Sequence, residues 1–155
     1  MDPTVPERED KVAWTRSILG DARFTKDYDL FGDRVRVTFR SRTMAEQEKI
    51  HEQLRKDSET NMFDPLNPGL YQHQYYDRMR KLSMAASVKF ITGFDTDQSP
   101  MDSYEISAGE FYSMLVKDWH ESLFNSIYRQ FLIFEDLCFK LKEAANSPDF
   151  WDQIV

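Results

Sequence analysis

Between Glu121 and Ala145 the chain repeats large apolar residues at the spacing of an α-helix, and no other stretch constrains the fold as tightly. At about 100° per residue, Leu123, Phe124, Ile127, Phe131, Phe134, Leu137, Cys138 and Leu141 fall on one broad face. Such a face is stable in water only when covered by other elements, so this helix must lie on something. Tyr128, Leu132 and Phe139 fall together roughly 60–100° further round, with Ile133 on another side. A small domain can bury one face of a helix. This second strip must meet another element of the chain, a second copy or a foreign helix. Ser147-Pro148-Asp149 then reads as a cap and first turn carrying Phe150 and Trp151, either a latch that closes the domain or a terminal anchor for a partner.

Upstream, the pattern supplies a surface for that helix. PEREDKVAWTRSIL predicts a short helix from Pro6, with Glu7, Glu9 and Asp10 at its positive end and Gly20 as its stop; residues 1–10 are expected to be flexible at the start. Tyr28 and Leu30, the tight-turn pair Gly32-Asp33, and Val35, Val37 and Phe39 alternating with polar residues predict a two-stranded ribbon with one apolar and one basic face. Thr43 and Glu46 have capping-box spacing and open a second helix with a thin stripe of Ile50 and Leu54. NMFDPLNPG reads as a loop, and Leu70–Met84 as a third helix. AASVKFITG reads as a short strand joining the ribbon, with a continuing helix as its rival. Ser107 and Glu110 form a second capping box, opening a helix that runs to about Trp119. The fold class is therefore α+β: a small antiparallel hairpin or three-stranded sheet packed with helices, then a helical C-terminal segment. We read 1–155 as a single domain, with hairpin and helices over 24–93 and an acidic, aromatic-rich helical segment over 104–153.

Composition excludes several classes. With 155 residues, 41% apolar and 14% aromatic, the chain is too rich in core-forming side chains to be disordered. It contains no apolar run of the ~20 residues that a membrane span requires, and MDPTVPERED does not read as a signal peptide. One Cys cannot form an internal disulfide, which favours a reducing compartment. The net charge of −7 is unevenly placed: residues 1–92 carry 16 basic and 15 acidic groups, residues 93–155 carry 4 and 12. Non-specific binding to nucleic acid is not expected of such a chain.

The motifs of catalysis and metal binding fail residue by residue. Asp95-x-Asp97-x-Ser99 opens like a calcium loop, but Pro100 and Ile106 stand where that loop needs Gly and Glu. His51, His73 and His120 lack the spacing of metal ligands, and the five glycines form no phosphate cradle. Cys138 falls inside the apolar face of the long helix, where a thiol is a small core group. Arg34, Arg36, Arg40 and Arg42 stripe the ribbon, as a contact for an acidic partner or a phosphate, or as a solvated outer face that includes pairing to the acidic C-terminal segment. No catalytic residue, cofactor or metal is expected.

VRVTFRSRTMAEQEKIHEQL, ISAGEFYSMLVKDWHESLFNSIYRQFLIFEDLC and SPDFWDQ, lying within residues 34–55 and 104–153, resemble tail assembly chaperones and related baseplate hub assembly proteins of tailed bacteriophages. The resemblance implies a non-enzymatic protein that binds a tape-measure or hub protein in the host cytoplasm during virion assembly. The alternative is a structural subunit of the tail or baseplate, located in the virion tail. Self-association is a further expectation; nucleic acid and membrane are not. The resemblance transfers no site residue, so the partner-binding candidates come from the helical geometry: Tyr128, Leu132, Phe139, Phe150 and Trp151.

Overall fold

The computed structural model describes residues 2–20, 23–92, 104–105, 113 and 121–152. It is an α+β fold whose contacts divide into two compact units: residues 1–41, 89–105 and 120–155 in the first, residues 42–88 and 106–119 in the second. The helix expected from Ser107 to about Trp119, residue 113 apart, and the Asp95–Ser99 loop lie outside the described residues.

In the first unit, α1 (Arg8–Leu19) precedes β1 (Thr25–Leu30) and β2 (Val35–Arg40). These strands pair antiparallel, with Tyr28 opposite Val37 and Leu30 opposite Val35. The turn needs left-handed backbone: Phe31, Gly32 and Asp33 have φ of 54°, 64° and 68°. Gly32 takes this without steric cost, and Asp is among the residues that tolerate it best. Period-two alternation then buries Val35, Val37 and Phe39 together, as the sequence predicts. The sheet continues in the order β1-β2-β3-β4, with β3 at Val88–Thr92 and β4 at Tyr104–Glu105. Two boundaries differ from the sequence reading. Ala85, Ala86 and Ser87 belong to the preceding helix, and the strand starts only at the β-branched Val88. Tyr104 and Glu105, at the head of the segment read as helical, instead pair antiparallel with Ile91 and Phe90.

The long helix α4 (Glu121–Ala145) has the bounds its periodicity predicts, and α5 (Pro148–Asp152) follows it. Ile127, Phe131, Phe134, Leu137 and Leu141 are buried. Phe134 stacks on Phe39 of β2 at 5.5 Å and on Phe24 at 5.9 Å, while Phe131 meets Phe39 at 5.9 Å. Trp14 of α1 closes the cluster edge-on to Phe24 at 5.6 Å. The ring-on-ring core is thus the shared product of one strand's alternation and one helix's period.

Residues 8–10, grouped by sequence with a flexible start, form the first turn of α1. Asp10 is buried there: it accepts from the Glu7 backbone N–H at 3.0 Å and pairs with Lys26 of β1 at 2.8 Å. Thr4 accepts a hydrogen bond from Lys140 of α4 at 2.6 Å.

The second unit contains α2 (Met44–Glu59) and α3 (Pro68–Ser87). Thr43 and Glu46 form the expected reciprocal cap: the Glu46 N–H donates to Thr43 Oγ1 at 3.2 Å, and the Thr43 N–H to Glu46 Oε1 at 2.9 Å. The third helix starts two residues earlier than predicted, because Asn67 accepts from the Leu70 N–H at 3.2 Å and Pro68 suits the first turn. Ile50, Leu54, Phe63 and Ala86 form the core, with Tyr71, Tyr75, Met79 and Leu82 packed around it. A buried ion pair joins the helices: Arg78 Nε donates to Asp57 Oδ2 at 2.8 Å, and Gln53 donates to Asp57 Oδ1 at 2.9 Å.

Candidate functional site

The five residues singled out by helical geometry have different environments. Leu132 and Phe139 stand on the outer side of α4, 46% and 59% exposed. Tyr128, one turn before Leu132, is half-buried; its ring stacks on Phe124 at 5.8 Å and tilts against Phe131 at 6.3 Å. It marks the border between the buried face and the outer strip. Phe150 is only 3% exposed and thus lies within the core, the place of the latch that the sequence offers beside a partner anchor. Proline starts the short terminal helix, the Phe150 N–H donates to the Ser147 carbonyl at 3.2 Å, and the ring turns inward. Trp151 folds back on the end of α4, where its Nε1–H donates to the Ala145 carbonyl at 3.0 Å. The surface that remains is the row through Tyr128, Leu132 and Phe139.

That row alternates apolar and acidic groups. Glu121, Glu135 and Glu143 occupy the same stretch of helix surface, with Asp136 beside it in an ion pair to Lys140 at 3.3 Å. Such a surface can bind by helix-on-helix packing, because residues three and four apart form a continuous ridge.

The basic stripe is engaged within the chain. Arg36 Nε donates to Asp29 Oδ1 at 2.8 Å across the ribbon, and this bond holds the Asp29 carboxyl below its ordinary range. Arg42 Nη1 donates to Ser87 Oγ at 2.9 Å in the second unit. Pairing within the chain is therefore the arrangement of these two arginines, with Asp29 across the ribbon and Ser87 at the end of α3 as acceptors.

Sequence reasoning missed a second exposed apolar group. Met62, Leu66 and Leu70 are exposed along the connection from α2 into α3, and Leu66 is 91% exposed. The available signal was a leucine between two prolines in a loop with no periodicity to bury it. Among the described residues, no group of three or more His, Cys, Asp or Glu could hold a metal ion. Nor is any helix among them long and apolar enough to cross a membrane. Comparison with protein-family models, with curated proteins and with solved structures gives no match.

Proposed function

We propose that this chain is a non-enzymatic assembly chaperone of a bacteriophage tail, which holds an apolar helical component, a tape-measure or hub protein, in the host cytoplasm during virion assembly. The observation that carries the reading is the exposure of Leu132 and Phe139 on a helix whose opposite face is already committed to a core. An unassembled helical tail component exposes apolar stripes that aggregate, and a ridge of this kind covers such a stripe. The acidic C-terminal part keeps the resulting complex soluble and repels DNA. Modest affinity per site suits several copies on one long client and permits release.

Co-expression of the tagged protein with neighbouring tail genes, followed by pull-down, tests the reading. The wild type should retain a tape-measure or hub protein, and Leu132→Gln should lose it with an unchanged far-UV spectrum. Failure to retain any tail component overturns the proposal. Detection of the protein in purified virions by mass spectrometry assigns it instead as a permanent tail or baseplate subunit.

A further inference from the structure

We infer that the connection from α2 into α3 is a contact between two copies of this chain, paired about a two-fold axis at Leu66. Leu66 then meets its own mate, and Met62 of each copy meets Leu70 of the other. The inference goes beyond the client surface on α4 and does not rest on it.

Leu66 is almost fully exposed, with Met62 and Leu70 exposed four residues to either side of it. The backbone beneath them is held in place. Phe63 is buried, edge-on to Tyr71 at 5.5 Å and to Tyr75 at 5.8 Å. The Asp64 N–H donates to Gln74 Oε1 at 2.8 Å, the Leu66 N–H to Asp64 Oδ1 at 2.9 Å and the Leu70 N–H to Asn67 Oδ1 at 3.2 Å. The Met62 N–H reaches the Asp57 carbonyl at 3.0 Å, and the Tyr71 N–H the Asn67 carbonyl at 2.8 Å. Pro65 and Pro68 fix φ on either side of Leu66 and have no N–H to satisfy. Leu66 is thus presented on a fixed backbone while its side chain fills nothing in the core. Loops ordinarily resist burial because their donors need water. Here the donors of Met62, Asp64, Leu66, Leu70 and Tyr71 are already bonded, so a covering surface need supply them no acceptor.

Charge selects a second copy as that surface. About a two-fold axis a residue faces itself and its close neighbours, so a charge near the axis repels its own mate. In a chain with 30% charged residues, residues 60–76 hold no Lys, Arg or Glu and a single Asp. That residue, Asp64, turns a carboxylate oxygen to the Leu66 N–H. Residues 42–88 carry seven basic and seven acidic side chains, and the remainder of the chain carries 13 and 20. The connection can therefore meet itself, apolar against apolar, without setting like charges together. A strongly charged partner would lose water there and find at most one carboxylate. Three side chains from each copy make a small contact, so the dimer is weak and depends on concentration.

Sedimentation velocity from about 1 to 100 μM tests this, with a dimer of the wild type expected to form on the order of 10 μM. Leu66→Ser should keep the far-UV spectrum and stay monomeric throughout. Leu132→Gln/Phe139→Gln should dimerise as the wild type does. Leu66→Cys in a Cys138→Ala background should form a disulfide-linked dimer under mild oxidation, because the axis brings the two positions together.

A wild type that stays monomeric across the range overturns the inference, as does a Leu66→Ser variant that dimerises like the wild type. Absence of the disulfide removes the axis from Leu66 and also overturns it. A dimer lost in Leu132→Gln/Phe139→Gln but kept in Leu66→Ser places the second copy on α4, which overturns this inference and takes the client surface with it. A monomeric wild type whose retention of a tail component is lost in Leu66→Ser gives the connection to that component instead, and overturns the second copy alone. Loss of the far-UV spectrum in Leu66→Ser makes Leu66 structural and overturns the inference without touching the α4 reading.

Discussion

Tyr28 sits in β1 with its ring against Phe39 at 5.8 Å, and its buried hydroxyl finds no hydrogen-bond partner among the described residues. Burial, reinforced by the negative potential of Cys138 and Asp10, holds its pKa above the ordinary value of 10.0. Below that value both folded and unfolded tyrosine keep the proton. As pH rises past it, the unfolded side chain releases the proton while the folded one retains it, and stability is lost. Tyr28→Phe keeps the ring, removes the orphaned hydroxyl and should leave stability equal or higher by about 1 kcal/mol in neutral urea melts. The advantage should widen above the ordinary tyrosine value. A variant clearly less stable than wild type at neutral pH would show that the hydroxyl is satisfied. The Asp57–Arg78 pair offers the opposite case. Asp57→Ala leaves a guanidinium that is only 17% exposed without its carboxylate, and should cost about 3 kcal/mol or more. Replacing both partners by apolar residues should recover much of that loss; a double variant as unstable as the single would mean that the pair is not coupled.

Single elements differ in how sharply their two sides are distinguished. On β2, Val37 is fully buried while Arg36 is exposed and paired with Asp29. Val37→Asp should cost about 3 kcal/mol or more because it places a charge in the ring cluster, whereas Arg36→Ser should change stability by less than about 1 kcal/mol. An unchanged melting temperature in Val37→Asp would mean that the ribbon faces the other way. On α4 the corresponding pair is Ile127, fully buried, and Leu132, nearly half exposed. Ile127→Gln should unfold the protein or come close, at about 3 kcal/mol, and Leu132→Gln should stay within about 0.5 kcal/mol. Equal destabilisation by the two, measured by urea melts, would assign the outer row to a core.

At the scale of the whole molecule, the terminal helix supplies a core residue from the far end of the chain. Truncation after Ser147 removes Phe150 and the Trp151 cap on the Ala145 carbonyl. The loss of one large buried ring should lower stability by about 3 kcal/mol, a large share of the 5–15 kcal/mol typical of a domain. A truncated protein that melts like the full chain but no longer retains its client would restore the anchor reading. The charge distribution also operates at this scale. The first 92 residues are near-neutral and the remainder strongly acidic, so the binding proposed for the C-terminal part should change with salt concentration if charge contributes to it.

Periodicity is a local property, and what it controls was legible in the chain. It predicts the inward face of β2, the capping box at Thr43, the bounds of α4 and the separation of Leu132 and Phe139 from the buried face. Each follows from spacing along one element, which needs no knowledge of its neighbours. The departures arise where a distant group decides. Asp10 reads as a helix-end acid until Lys26 meets it; Asp57 and Arg78, 21 residues apart, carry no local signal of the pairing that two helices create. Ala85–Ser87 carry little side chain to signal either state, so their helical geometry is decided by context. Phe150 and Trp151 are adjacent and alike in sequence. Only the turn that folds α5 back on α4 makes one of them core and the other a cap, because burial depends on what the rest of the chain brings to that spot.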